Sequence, residues 1–322
     1  MNTVSFFTSV QDQLQFIERR IREQADDQNH SDLRSALSHL LAAGGKRIRP
    51  TLGLLVGNML GAPEEKLITL GAAVELLHTA TLVHDDLIDG SLLRRGMPTL
   101  NARWSPAATV LTGDFLFARA AKLAAETDYL PLMKLFADTL ATIVSGELTQ
   151  LFSARGMINR QNYYQRIYAK TASLFEMSAL AACMVATEDE DIRDSMKSFG
   201  YEVGMAFQIM DDVLDFTGDP SAVGKPIGSD LLNGLVTLPA IYYAETNPHE
   251  ADIISLPEGG WKDTERVERL VEAIRNSPAI EQAREEARQA ICRALNALEE
   301  APVSADREAL ENLANFIVDR KI

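Results

Sequence analysis

The sequence predicts an all-α fold, and three observations carry the prediction. Apolar residues recur at three- and four-residue spacing along nearly the whole chain, strand-like alternation is scarce, and the Pro- and Gly-containing interruptions fall between helical runs. The 322 residues are 46% apolar, enough to bury a large core. Length alone allows two domains, yet nothing in the sequence marks a boundary, so residues 1–322 are expected to form a single helical domain.

The elements follow in order. Val10, Leu14, Ile17 and Ile21 recur at helical spacing among Gln, Glu and Arg and predict an amphipathic first helix. Ser31-Asp32 can cap a second helix that ends at Gly44-Gly45. Helical patterns continue through 51–60, 64–89, 105–127, 131–153, 160–186, 189–216 and 231–246. Pro248, Pro257, Gly259 and Gly260 break the pattern over 247–263, which is expected to be a surface connection. Helices follow at 264–276 and 278–300. The last, about 306–319, carries Leu310, Leu313, Phe316 and Ile317 on one face, so it needs a partner within the same domain.

Charge and cysteine usage narrow the function. Asp and Glu number 46 against 31 Lys and Arg, a net charge of −15, which argues against a nucleic-acid partner. The two cysteines, Cys183 and Cys292, lie in helical apolar patterns without metal-ligand spacing and read as core packing in a reducing compartment. The first residues lack a basic n-region and a long apolar run, and no uncharged apolar stretch reaches the roughly 18 residues a spanning helix needs. A cytoplasmic protein with no transmembrane segment is expected.

The chemistry is concentrated in His84-Asp85-Asp86-Leu87-Ile88-Asp89, followed after four residues by Arg94-Arg95-Gly96. Helical spacing puts Asp85 and Asp89 one turn apart on one face, with Asp86 beside them. Three close carboxylates repel and resist ionisation unless neutralised, so a hard divalent cation with oxygen ligands is the natural occupant. The planar forks of Arg94 and Arg95 suit phosphate oxygens. The arrangement recurs as Met210-Asp211-Asp212-Val213-Leu214-Asp215, again before a Gly/Pro-containing loop, Thr217 to Ser229. Two such clusters facing each other across a cavity can hold a multi-magnesium diphosphate complex. In Gly44-Gly45-Lys46-Arg47-Ile48-Arg49-Pro50, three cations beside glycines read equally as an anion site or as an ordinary helix stop.

With these motifs in place, the chain resembles the trans-isoprenyl diphosphate synthases, in their bacterial polyprenyl (octaprenyl-type) branch. The match runs through GGKRIRP, ELLHTATLVHDDLIDGSLLRRGMPTLN, GDFLFARA, SGELTQL, YAKTASLF, GMAFQIMDDVLDFTGDPSAVGKPIGSDL, GLVTLPAIY and ALENLANFIVDRK. The resemblance implies mostly antiparallel helices around a deep central cavity, a homodimer, and condensation of an allylic diphosphate with isopentenyl diphosphate. It places magnesium, three ions with diphosphate bound, on Asp85, Asp89 and Asp211, with Asp86, Asp212 and Asp215 completing or supporting that shell. It implies that Arg94, Lys170 and Lys225 grip the allylic diphosphate, and that Lys46, Arg49, His78 and Arg95 hold isopentenyl diphosphate. By the same resemblance, Thr171 and Gln208 look like the neutral oxygens lining the reacting carbons. The resemblance also implies that the departing diphosphate takes the final proton, so His84 and Glu147 read first as hydrogen-bonding supports.

Product length depends on the cavity below the first cluster. Short-product relatives carry an aromatic floor there, whereas this chain has Ala80 and Thr81, with Leu77 about 12 Å below Asp85 at 1.5 Å per residue. A product longer than twenty carbons is expected, a long all-trans chain such as a quinone side-chain precursor. Phe136, Ile143, Val144 and Phe152 are candidates for a deeper floor. Shorter-product farnesyl or geranylgeranyl synthases and a non-catalytic subunit of a synthase are the alternatives; a terpene cyclase is disfavoured by the second aspartate cluster. The oily product allows transient membrane contact, though no basic amphipathic helix advertises it.

Overall fold

Twenty-five consecutive residues, Glu64–Ile88, form one unbroken helix that ends in the first aspartate cluster. The structure is a computed structural model that describes residues 5–25, 31–42, 44–153, 155–218 and 227–320. The chain divides into two compact units: Met1–Asp138 with Met177–Lys197 and Glu300–Leu313, and Thr139–Glu176 with Ser198–Glu299 and Ala314–Ile322.

In the first unit, Glu64–Ile88 is the central element, and the helices Gln11–Glu23, Ile48–Met59 and Pro106–Ala125 pack around it. Leu67, Leu70, Val74, Leu76, Leu77, Ala80 and Val83 are all buried, on every side of the helix, which is why its sequence is apolar all round and not striped. By length and composition this helix is long and apolar enough to cross a membrane, but Glu75 interrupts its uncharged run and 72% of its most apolar stretch is buried within the protein, the burial of a core helix. Pro106–Ala125 begins with Ser105 accepting from Ala108 N at 3.3 Å and with Pro106 in the first turn, where its missing N–H costs nothing.

The second unit is helical as well. Leu238–Thr246 packs on Ala279–Ala297, and Arg293 holds Glu202 with a bidentate pair at 2.8 and 2.9 Å. Three sequence expectations change here. The run 160–186 is not one helix: Arg160–Ile167 gives way to a π turn over Tyr168–Ala172 before Ser173–Met184 resumes. The Ser173 N–H reaches back five residues to Tyr168 O, and Ser173 Oγ donates to Ala169 O at 2.9 Å. The run 231–246 is also broken, because Gly234 adopts φ +81°, which ends Ser229–Leu232 before helix restarts at Leu238. The connection 247–263 contains the short helix Ala251–Ser255 and two 3₁₀ turns.

The helix Leu130–Ser153 passes the π turn at Gly146. A Cβ there would lie 2.4 Å from Ala169 Cβ, a separation side chains do not tolerate. Gly146→Ala is therefore expected to cost about 1–3 kcal/mol by overpacking, read as a lower urea midpoint at unchanged slope.

A further departure is a β-hairpin in the first unit. Leu93 pairs with Pro98 and Arg94 with Met97, and the two turn residues, Arg95 and Gly96, both have positive φ (51° and 74°). That is the twist a two-residue hairpin requires.

Candidate active site

The first unit gathers two kinds of charge at one end of Glu64–Ile88. Asp85 is half-buried in the last turn, and Asp89, which caps the helix, is exposed. Asp86 is buried and spoken for: Arg94 Nε and Nη2 both donate to its Oδ1 at 2.8 Å. The hairpin therefore fixes Arg94 against the cluster, and Ser91 N, donating to Asp86 O at 2.8 Å, ties the connecting loop to the same residue.

Two turns back along the same helix stands His78. Arg49 Nη1 donates to its Nε2 at 3.2 Å, and burial together with the charges of Arg49, Arg95, Arg94 and Arg47 holds its pKa well below the usual imidazole value. His78 is thus neutral in a strongly cationic pocket. The loop that delivers Arg49 is anchored at several points, two of them, Glu75 and Ser178, at residues not singled out from the sequence. Arg47, at φ 46°, donates to the buried Glu75, Ser178 Oγ donates to Arg49 O at 2.7 Å, and Arg95 Nη1 donates to Gly44 O. Lys46 is exposed in this loop.

A pH dependence follows. Because the folded pKa of His78 lies below 6.5, the unfolded chain binds the proton first as pH falls from that value, so this residue contributes stability above pH 6.5 that is lost on acidification. The contribution approaches at most about 1.4 kcal/mol per pH unit. Urea unfolding between pH 8 and pH 5 is expected to show a shallower slope in His78→Phe.

In the second unit, the π turn sets Lys170 and Thr171 side by side. Lys170 Nζ donates to Glu147 Oε1 at 2.9 Å. Thr171 Oγ1 donates to Gln208 Oε1 at 2.6 Å, and Gln208 Nε2 donates to Asp212 Oδ1 at 2.8 Å. Asp212 is buried and also accepts from Tyr163 OH at 2.7 Å. Burial and the nearby Asp230 charge push its carboxyl up to about 8, against the two hydrogen bonds, which favour the carboxylate. Burial keeps Tyr163 protonated, hence a donor. Asp215 is occupied in capping: Ser229 Oγ (2.6 Å), Ser229 N (3.2 Å) and Asp230 N (3.2 Å) all donate to it. Asp211, half-buried, pairs with Arg320 at 2.8 Å, and that guanidinium also donates to Phe207 O at 2.6 Å and lies 4.1 Å from the Phe207 ring centroid.

Each aspartate motif thus divides its labour. Asp86, Asp212 and Asp215 are turned to protein donors; Asp211, though paired with Arg320, keeps a solvent-accessible carboxylate, as do the half-buried Asp85 and the exposed Asp89. Carboxylate oxygens of this kind suit a hard divalent ion. Among the described residues, no three His, Cys, Asp or Glu side chains converge to enclose a metal. Lys225 lies outside the described residues. His84 Nε2 sits 3.1 Å from Val110 O and 3.5 Å from Asp114 Oδ1, over Gly113, whose missing side chain makes room for the ring. Leu77 and Ala80 are fully buried and Thr81 Oγ1 donates to His78 O at 2.7 Å. Of the deeper-floor candidates, Phe136 and Ile143 are buried, whereas Val144 and Phe152 are 44% and 77% exposed and do not line an interior.

Tyr163, Glu75 and Arg320 were not singled out from the sequence; Glu75 and Arg320 lie inside stretches that carry the resemblance and Tyr163 outside them, and only the tertiary fold reveals their partners.

Comparison with known proteins gives a consistent answer. A family model described as polyprenyl synthetase matches residues 30–275. An all-trans-nonaprenyl-diphosphate synthase (geranyl-diphosphate specific) of Rhodobacter capsulatus is 40% identical over 291 residues, 89% of this chain and 88% of that protein. The octaprenyl diphosphate synthase of Haemophilus influenzae is 36% identical, over 88% and 86% of the two chains. A crystal structure of a polyprenyl synthase from Caulobacter crescentus CB15, complexed with calcium and isoprenyl diphosphate, superposes with a TM-score of 0.91 at 35% identity, over 99% of this chain and 98% of that one.

Proposed function

Since this chain belongs to the polyprenyl synthetase family, we propose that it elongates an allylic diphosphate with successive isopentenyl diphosphates, using residues of both aspartate motifs. It is a prenyltransferase of the long-chain, all-trans class and uses a divalent metal. The observation that best supports the residue assignment is the end of Glu64–Ile88, where one helix carries accessible carboxylates at Asp85 and Asp89 and, two turns away, a neutral His78 among arginines. A metal-clamped leaving group and an intact diphosphate need those two environments side by side.

In this reading Asp85, Asp89 and Asp211 hold magnesium, three ions with diphosphate bound, and the metal when bound neutralises charge growing on the leaving diphosphate. Arg94, Lys170 and Lys225 hold the allylic diphosphate; Asp86 and Glu147 keep Arg94 and Lys170 aimed. Lys46, Arg49, His78 and Arg95 hold isopentenyl diphosphate, with His78 neutral so that it adds no charge to an already cationic pocket. Thr171 and Gln208 line the reacting carbons. Asp212 and Asp215 support the second cluster through the hydrogen bonds they accept. The departing diphosphate takes the proton. Leu77, Ala80 and Thr81 line the start of the shaft that receives the growing chain.

The enzyme works in this reading as a single-domain homodimer in the cytoplasm, touching a membrane only to release product. Val110 and Leu111, 40% and 67% exposed on Pro106–Ala125, support a second copy covering that face. The purified protein, given a labelled allylic diphosphate with and without isopentenyl diphosphate, tests the function. Products resolved by carbon number should exceed twenty carbons and require both substrates. Consumption of the allylic diphosphate alone, or no turnover without a partner protein, overturns the reading.

A further inference from the structure

Of the three cations in Lys46-Arg47-Ile48-Arg49, the function proposed above uses the outer two and leaves the middle one without a task. Arg47 is placed differently from its neighbours. Lys46 is exposed and Arg49 reaches His78 at 3.2 Å, whereas the Arg47 side chain is only 12% exposed and donates through Nη1 to Glu75 Oε1, on a side chain 7% exposed in the long helix Glu64–Ile88. A second carboxylate, Glu18 on Gln11–Glu23, lies 3.5 Å from Arg47 Nε. Charges this far from water persist only where opposite charges meet them.

The backbone at Arg47 is strained where the guanidinium is withdrawn. Its φ of 46° lies in the left-handed region that non-glycine residues avoid, immediately before the helix Ile48–Met59. The Arg47 carbonyl is fixed to that helix, accepting from Thr51 N at 3.0 Å and from Thr51 Oγ1 at 2.7 Å, so the chain reverses sharply between Lys46 and Arg49. Arg95 comes into the same space: a Cβ on Gly45 would lie 2.9 Å from Arg95 Nη1 and 3.6 Å from Arg47 Nη1. Two like charges thus converge on a residue with no side chain. Glu75 offsets part of their repulsion, because its charge favours the Arg95 cation that burial and Arg94 disfavour. We propose that Arg47 and Glu75 are a positioning pair: the buried carboxylate draws the middle guanidinium into the core and so holds the turn that sets Lys46 and Arg49, with Arg95, around one diphosphate. The pair touches no substrate and acts through those three cations. The inference rests on the reading of this pocket as the isopentenyl diphosphate site.

The test measures isopentenyl diphosphate binding by calorimetry without added metal, and KM for each diphosphate in turnover. Glu75→Gln keeps the shape and removes the charge. Its affinity for isopentenyl diphosphate is expected to fall about tenfold, with KM raised to match, while kcat and KM for the allylic diphosphate stay within about twofold. The allylic substrate is the control because the bond from Arg94 to Asp86 does not pass through Glu75. Arg47→Gly separates the pair from the turn, since glycine adopts φ 46° without strain. A turn that needs only its backbone conformation keeps its affinity in that variant, whereas a turn held by the ion pair loses about tenfold. A pair that only stabilises the fold would lower the urea midpoint and leave the affinity of the folded variants unchanged. That result overturns the proposal, as do equal losses for both diphosphates or wild-type affinity in Arg47→Gly. If Glu75→Gln does not fold, Arg47→Gly decides alone. Wild-type protein that binds and condenses isopentenyl diphosphate while either variant keeps its affinity rejects the pair alone; wild-type protein that binds none rejects the assignment of the pocket and the pair together.

Discussion

Asp85→Ala is expected to lower kcat about 10²–10³-fold, the size of effect that follows when one preorganised electrostatic contributor to a charged transition state is removed. The substitution is cleaner than it looks. The Asp85 backbone carbonyl keeps its bond from Asp89 N at 2.8 Å, and the side chain is only half-buried in a helical turn where alanine is a favoured residue, so stability should change by no more than about 0.5 kcal/mol. The loss should be accompanied by a higher magnesium requirement, read from kcat as a function of free metal. Asp86→Ala, one residue along, acts differently. It leaves Arg94 without the carboxylate that both its Nε and Nη2 engage, so it should raise KM for the allylic diphosphate as well as lower kcat. An Asp85→Ala enzyme with wild-type kcat and metal dependence would remove this residue from the metal shell.

Ala80→Phe should shorten the product while sparing the chemistry. Ala80 lies on the helix that ends in the first cluster, fully buried and five residues before Asp85, so a ring there reaches into the path of the chain without touching the carboxylates. The expected outcome is a carbon-number distribution shifted toward short products, with the rate of the first condensation within a few-fold of wild type. If Ala80 is small only so that neighbouring helices approach, the ring overpacks instead. The variant then loses about 1–3 kcal/mol of stability with product length unchanged. Mass spectrometry beside a urea titration separates the two outcomes.

The helices were legible because burial imposes a period the sequence must obey. Glu64–Ile88, Pro106–Ala125, Leu130–Ser153 and Glu190–Thr217 lie within two residues of the runs expected from spacing. What was not legible is local or distant. The hairpin strands at 93–94 and 97–98 are too short to show alternation, and Arg95-Gly96 is a weaker turn signal than Asn-Gly. The break at Gly234 carried a real signal, a glycine just past a helix end, outweighed by apolar residues on either side. In the candidate site, the two aspartate motifs look alike as text, yet their carboxylates have different fates because the partners are remote. Tyr163 is 49 positions from Asp212, and no spacing rule connects them.

The wide turn at Tyr168–Ala172 amounts to one residue of slack between two lengths of ordinary helix. Removing one residue from it would let the helix close up into ordinary i→i+4 bonding with the lengths on either side facing nearly as they do now, because the wide turn completes its circle with one residue more than α-helix needs. What would be lost is local: Lys170 and Thr171 could no longer both sit beside Glu147 and Gln208. Length in this segment therefore belongs to the site and not to the helices that flank it.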